Sequence, residues 1–364
     1  MIEEADIVRA GAQAPEGGVP LQEADFLLLM QRLAPDLAEE LARRALILER
    51  IAVLQPVGRR QLAARLNLPE REVRAAAQCL RDEGFIELNT AGMVLTDKAD
   101  EVLQAARAFS GAMRGLTDLE KKLSALYGVN RVYVCPGDCD TDPQVLQELG
   151  RITAQHLRQL LPSGSTLAVS GGRTIAAVAA ALPSGTPQNV MVVPARGGVG
   201  RMMETQANTV AEELARRLGG HHRLLHLPDQ LNASAMQEML RVPEVREAVE
   251  LLQRADVILH GIGRADDMAH NRHLPQSLIR RLTDQGAVAE ALGYYYTPDG
   301  TIVYTASGLG VDLARLTPSC RMVAVAGGSS KAEAIGAVLR HDRHFMLVTD
   351  EAAARRLCGT GGTN

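Results

Sequence analysis

The stretch VAVAGGSSKAEAI, residues 323–335, sets the architecture of most of the chain. Four apolar residues run into two glycines and two serines, and a helix-forming run follows a single lysine. A short apolar run stopped by glycine and followed by helical periodicity is one strand–turn–helix unit. Other runs of this kind recur beyond residue 128: TLAVS (166–170), VMVVPAR (190–196), RLLHLP (223–228), DVILHGIG (256–263), TIVYTA (301–306) and FMLVTD (345–350). Most lead through a glycine or a cap residue into a helix. Such repetition implies an α/β fold, a parallel sheet with helices on its faces. Ligands of these sheets bind at the carboxyl ends of the strands, where the helices begin.

Residues 21–127 keep a helical rhythm, apart from one short strand pair. Leu27, Leu28, Leu29 and Leu33, then Leu37, Leu41, Ala45, Leu46, Ile51 and Leu54, recur at helical spacing. Pro35-Asp36 separates two helices, with Asp36 the expected N-cap. Residues 97–127 read as one long helix whose apolar side carries Leu103, Ala106, Met113, Leu116, Leu119, Leu123 and Leu126. The expected organisation is a flexible tail over 1–20, a helical unit with its linker helix over 21–115, and the α/β unit over 116–364.

The sharpest local pattern in the first half spans residues 58–95. GRRQLAARL (58–66) is a short amphipathic helix, NLP a tight turn, and EREVRAAAQCLRDEG (70–84) a second helix closed by Gly84. FIELNTAGMVL (85–95) reads as strand, turn, strand, which makes a helix–turn–helix with a β wing. Val73, Ala76, Ala77 and Leu80 form the inward stripe of the second helix. Arg71, Arg74 and Gln78 then face outward, toward base edges and phosphates of a major groove. Arg59 and Arg60 are placed to hold backbone phosphates. Six arginines against two glutamates over residues 58–81 give this segment a local charge of +4 in a chain of −4. Helix–turn–helix shapes also serve protein contacts, but turn, cap, wing and charge together favour double-stranded DNA.

Bulk composition excludes several classes. A chain of 364 residues with 46 % apolar side chains has room for two domains with full cores. No apolar run reaches bilayer length, and the acidic, Pro/Gly-rich start lacks the pattern of a signal peptide. Five scattered cysteines argue against a disulfide framework and for a cytoplasmic location. Cys135 and Cys139 stand among Asp138, Asp140 and Asp142, but the spacing fits neither zinc nor calcium, so a polar loop and no metal are expected. Tryptophan is absent and aromatics are 3 %, which removes base-stacking platforms for single strands.

Four loops after strands suit an anion. SGGRT places Gly171, Gly172, Arg173 and Thr174 at a helix start, where free amides and the helix dipole favour phosphate. PARGGVG brings Arg196 to a strand end beside Gly197 and Gly198, and a guanidinium grips phosphate in bidentate fashion. Gln206 opens another helix ten residues later. HGIGRADDMAHNRHLP carries Gly261 and Arg272. The opening stretch carries Gly328, Ser330 and Lys331, and Lys331 is one of only four lysines in the chain, beside 35 arginines. A lysine at a helix start opposes the dipole, and an anion held between them would reverse that cost. It is either such an anchor or a solvated surface lysine. Glu290, in AVAEALGYYY, ends an expected strand and either accepts sugar hydroxyls or forms a structural ion pair with an arginine. No Walker-type loop or full G-x-G-x-x-G is present, so nucleotide cofactors are not expected.

These motifs in order resemble the SorC group of sugar-responsive transcription regulators, from about residue 25 to 357. QPVGRRQLAARLNLPEREVR, VPARGGVG, QANT, LLHLPDQL, HGIG, AEALGYYY, AVAGGSSKAEAI and VTDEAA carry the likeness. Their number is specific to the branch of that group that represses glycolytic genes. The resemblance implies a winged helix–turn–helix domain joined to a Rossmann-like effector domain similar to sugar-phosphate isomerases and deaminases. It implies fructose-1,6-bisphosphate or a related sugar phosphate as inducer, no cofactor, and a homo-oligomer, dimer or tetramer. It places effector contacts on Thr174, Arg196, Gln206, Glu290 and Lys331, and less directly on Arg272. Where the family tends to read Gly-Gly-Thr-Thr, this chain has Arg173 in place of a hydroxyl.

The rival is an isomerase or deaminase, which needs a general base and usually a proton shuttle near the carbonyl carbon. Glu290 and His260 are the candidates, His260 being equally suited to a satisfied core position. A winged helix has no purpose in such an enzyme, so a regulator without catalytic residues is expected.

Overall fold

The structure, a computed structural model, describes residues 32–66, 68–183, 189–197, 203–227, 231–341 and 344–360. The expected tail at 1–20, the leucines at 27–29, the turn residue Asn67 and the site residue Gly198 lie outside them. The chain forms two compact units, residues 1–114 and 115–364. Among the described residues no helix is long and apolar enough to cross a membrane.

In the first unit α1 (Pro35–Leu54) is followed by α2 (Arg59–Leu66), α3 (Glu70–Asp82), β1 (Ile86–Asn89), β2 (Gly92–Leu95) and α4 (Ala99–Met113). The N-cap of α1 is Ala34, not Asp36, because Pro35 takes the first helical position. Its fixed φ suits that place, and Asp36 complements the dipole from within the first turn. α1 buries Ala38, Ala45, Ile47, Leu48 and Ile51, whereas Leu37 and Leu41 of the expected stripe face solvent. α3 buries Val73, Ala76, Ala77 and Leu80, as its periodicity requires. Gly84 stops it at φ +78°, and the Phe85 amide donates back to the Leu80 carbonyl at 2.9 Å, a Schellman closure. The wing pairs Ile86 with Leu95 and Asn89 with Gly92. Gly92 is obligatory: a Cβ there would lie 2.6 Å from the backbone of Val57, which bridges Met93.

The long helix expected over 97–127 is broken. α4 ends at Met113, Gly115 adopts φ +69°, and α5 (Leu116–Tyr127) begins as a separate helix. Glycine enters the left-handed region without the usual steric cost, which permits the break. Leu116, Leu119 and Leu123 of α5 pack into the α/β unit.

After α5 the second unit runs β3 (Arg131–Cys135), α6 (Pro143–Leu160), β4 (Thr166–Val169), α7 (Arg173–Ala181), β5 (Met191–Pro194), α8 (Ala207–Leu218), β6 (His221–His222), α9 (Ala233–Met239), α10 (Pro243–Gln253) and β7 (Val257–Gly261). It continues with β8 (Gly263–Arg264), α11 (Ala265–Asn271), α12 (Gln276–Asp284), β9 (Ala289–Ala291), β10 (Tyr294–Tyr296), β11 (Ile302–Thr305), β12 (Arg321–Val325), α13 (Ala332–His341), β13 (Met346–Asp350) and α14 (Glu351–Thr360). Seven strands form one parallel sheet in the order β3-β13-β12-β7-β4-β5-β6. Alternate residues serve opposite faces. Leu167, Val169, Val323 and Val325 pack with α6, α7 and α8, while Ala324 and Leu347 pack with α5, α13 and α14. A sheet buried on both faces needs apolar residues at every position, hence the unbroken runs.

Three expectations change. RLLHLP is not a strand in its described part; β6 pairs with β5 just upstream, through His221 and His222. TIVYTA forms β11, but in a second, antiparallel sheet of order β11-β10-β9-β8. Glu290 lies in the middle of β9 in that sheet, not at a strand end. The main sheet reverses its strand order between β4 and β7, since β5 follows on one side and β12 on the other. The carboxyl edge of that crevice is where such folds take their ligands.

Candidate functional site

The crevice between β4 and β7 is stitched at its mouth. The Ser170 amide donates to the Leu259 carbonyl at 3.0 Å, and the Gly261 amide donates to Ser170 Oγ at 3.1 Å. Gly171 then meets the chain entering α8: a Cβ there would lie 2.6 Å from the Thr205 carbonyl oxygen and 2.9 Å from the Ala207 amide. The Gly172 amide donates to that same carbonyl at 2.8 Å. This contact brings Gln206, the N-cap of α8, beside the Gly-Gly loop. Gly172 sits at φ +113° with open space where a side chain would stand. Arg173 and Thr174 follow as the first residues of α7, whose first-turn amides have no acceptor inside their own helix.

Lys331 ends a single 3-10 turn, Ser329–Lys331, between β12 and α13. Burial and the nearby Arg173 guanidinium push its ammonium below the ordinary lysine value, while Cys139, Asp140 and Asp267 pull the other way. Two cations from strands on either side of β7 therefore face one another. A like charge nearby disfavours the charged form, a cost that a bound anion would offset.

A second group forms around Gly293. The Arg196 guanidinium donates to the Ala306 carbonyl at 3.2 Å and to the Ser307 carbonyl at 3.1 Å. Gly293, at φ +92°, leaves room for it, since a Cβ would lie 2.0 Å from Nη1. The Gly293 amide donates to Glu290 Oε1 at 2.7 Å, and Arg272 Nη2 donates to the same oxygen at 3.0 Å. Of the two roles open to Glu290, the ion pair is the one formed, deep in the protein.

Gly197 is buried and its amide donates to the Leu309 carbonyl at 3.0 Å, which fixes the start of its loop. Ser330 shares the 3-10 turn of Lys331 and also opens onto a second wall. It lines a cavity of about 500 Å³ with Arg264, Thr283, Glu333 and Arg356, and Lys331, Arg196 and Glu290 are not on that wall. Sequence reasoning missed Asp138, Asp140 and Asp350. The Gly328 amide donates to Asp350 Oδ2 at 2.6 Å, the Ser329 amide to Asp138 Oδ1 at 3.2 Å, and the Ser330 amide to Asp140 Oδ2 at 2.8 Å. The polar loop after β3 thus supplies the negative charge for the start of α13. Asp138 and Asp140 show in the sequence only as two of three acids at alternate positions, and Asp350 only as the acid that ends an apolar run.

His260 is wholly buried and its Nε2 lies 3.0 Å from Nε2 of His344. Burial, then His344, pushes it down to about 3, so it stays neutral at physiological pH and serves the core. In the first unit Arg59, Arg60, Arg71, Arg74 and Gln78 are all exposed. Glu70 pairs with Arg74 at 3.1 Å and Arg60 at 3.4 Å, and Gln78 donates to Asp82 at 2.7 Å.

Known proteins share this arrangement. The family model "Putative sugar-binding domain" matches residues 112–358, and the "CggR N-terminal DNA binding domain" matches residues 41–109. The chain is 37 % identical to the central glycolytic genes regulator of Bacillus subtilis, over 90 % of this chain and 96 % of that one. It is 36 % identical to a solved SorC family regulator from Enterococcus faecalis, with a TM-score of 0.62 over 66 % of this chain and 99 % of that one. The chain belongs to the SorC family of transcription regulators. The full-length sorbitol operon regulator of Klebsiella pneumoniae shares the fold at 21 % identity, with a TM-score of 0.60 over 86 % of this chain and 99 % of that one. As a SorC member this protein binds DNA through its winged unit and a sugar ligand through its α/β unit. It is a regulator rather than an enzyme.

Proposed function

We propose that this SorC member represses glycolytic genes in the cytoplasm and is released from its operator by a phosphorylated sugar, fructose-1,6-bisphosphate in the first instance. The observation that carries the reading is the electrostatic coupling of Arg173, after β4, to the half-buried Lys331, after β12, on either side of β7. A phosphate between them removes their repulsion and meets the open first turn of α7. Arg196, seated against Gly293, supplies a second cationic group, since Arg272 is neutralised by Glu290. Two such groups suit the two ends of a bisphosphate. Gln206 and Thr174 are placed for sugar hydroxyls. The names of the Bacillus subtilis and Priestia megaterium relatives support glycolytic genes as the target.

On the DNA side α3 enters the major groove with Arg71, Arg74 and Gln78, while Arg59 and Arg60 hold phosphates. The working form is a homo-oligomer, dimer or tetramer, matching a repeated operator. Effector binding lowers operator affinity through linkage between the two sites. A thermal unfolding scan with fructose-1,6-bisphosphate, fructose-6-phosphate, glucose-6-phosphate and dihydroxyacetone phosphate tests the effector. Ligand at a hundred times its dissociation constant stabilises by about 2.7 kcal/mol. The bisphosphate is expected to give the largest shift, without turnover. No shift with any of the four defeats the proposal.

A further inference from the structure

The two helix starts on either side of β7 differ in what already occupies them. The first turn of α7 opens on empty space beside Gly172. The turn before α13 is filled by the protein's own Asp140. Its carboxylate accepts from the Ser330 amide at 2.8 Å, Ser330 Oγ at 3.0 Å and Ser329 Oγ at 3.2 Å. The seat is shaped for it: Gly328 stands at φ +108°, and a Cβ there would lie 2.4 Å from Asp140 Oδ1. Asp140 also lies within Coulombic reach of Lys331 and Arg264. The remaining amides of the turn are taken by Asp138 and Asp350.

A phosphate drawn to Lys331 therefore meets a carboxylate that already shares that charge. We propose that Asp140 is an internal anion that competes with the effector's phosphate for Lys331 and the Ser329–Ser330 turn, and so sets the affinity and charge selectivity of the site. This rests on the effector reading above. With Asp140 in place, free inorganic phosphate and other small anions gain too little to displace it. A sugar phosphate succeeds because it adds contacts to Arg173, Thr174, Gln206 and Arg196. Asp140 is thus a threshold that keeps the repressor unresponsive to the common anions of the cell.

The test is calorimetric titration of the full-length protein with inorganic phosphate and, separately, fructose-1,6-bisphosphate. Asp140→Asn keeps an acceptor for the Ser330 amide but removes the charge. It is expected to bind inorganic phosphate at least about tenfold more tightly than wild type, because a like charge a few ångströms away is removed. Lys331→Met on that background should cancel the gain. Asp140 is exposed, so Asp140→Ala serves should the amide variant fail to fold. Unchanged or weaker phosphate affinity in both Asp140 variants makes Asp140 a structural cap and overturns the inference. Wild-type binding of the bisphosphate is read separately. If wild type takes it while the Asp140 variants gain nothing for phosphate, only this inference falls. If wild type ignores it while the variants capture phosphate, the effector reading falls and the competing carboxylate stands.

Discussion

Arg272 meets Glu290 at 3.0 Å in the α/β unit, and Arg74 meets Glu70 at 3.1 Å in the winged unit. The lengths are almost equal. The surroundings are not: the Arg272–Glu290 side chains are 19 % and 4 % exposed, the Arg74–Glu70 side chains 62 % and 36 %. Water screens the second pair and lets it open at little cost, which a DNA-reading surface requires. The first pair is committed, because separating it strands a charge away from water. An ion pair's distance thus says little about its role until its medium is known.

That contrast can be broken or sharpened by experiment. Glu290→Ala removes the carboxylate that Arg272 donates to and should destabilise the protein by ~3–5 kcal/mol, visible in urea unfolding. A loss below about 1 kcal/mol would place the pair with surface bridges. Lys331→Ala should weaken effector binding by ~2–5 kcal/mol and leave operator binding unchanged. Retained effector response in a gel-shift assay would remove Lys331 from the site. On the exposed side, Arg74→Ala should cost ~1–3 kcal/mol of operator affinity with no change in effector affinity. An unaltered operator constant would mean α3 does not read bases.

His260 gives a smaller effect with a defined sign. Its folded value of about 3 lies below its ordinary 6.5. Between those values the unfolded chain holds a proton that the folded one does not. Stability is therefore complete above pH 6.5 and falls as pH drops toward 3, by up to ~1.4 kcal/mol per pH unit. His260→Asn should flatten this acid limb of the melting curve, and an unchanged slope would assign the limb elsewhere. Smallest of all, Arg59→Ala with Arg60→Ala should lower the log–log salt slope of DNA binding by about 0.9 for each DNA phosphate left without its arginine.

How much of this was legible depended on the length of each signal. The inward stripe Val73, Ala76, Ala77 and Leu80 spans two helical turns, and the parallel strands are continuous apolar runs, so both stand out. Strands β8, β9 and β10 have only two or three residues, too few for a period, and their sheet went unseen. A lone glycine inside a helical pattern is ambiguous, so the break at Gly115 was hidden. Asp140 meets Ser330 across 190 positions, and no local pattern encodes such a meeting. The candidate residues were recognisable as polar and charged groups in or near loops between apolar runs. Whether each faces a ligand or a partner within the protein depends on pairings such as Arg272 with Glu290, which a linear sequence does not display.

The break at Gly115 has a consequence for engineering. It falls close to the boundary of the two matched family models, three residues inside the one that begins at residue 112 and six past the end of the other at residue 109. A splice at this glycine would move the sugar sensor onto a foreign operator reader, giving a chimaeric switch with a new address and the same metabolic input.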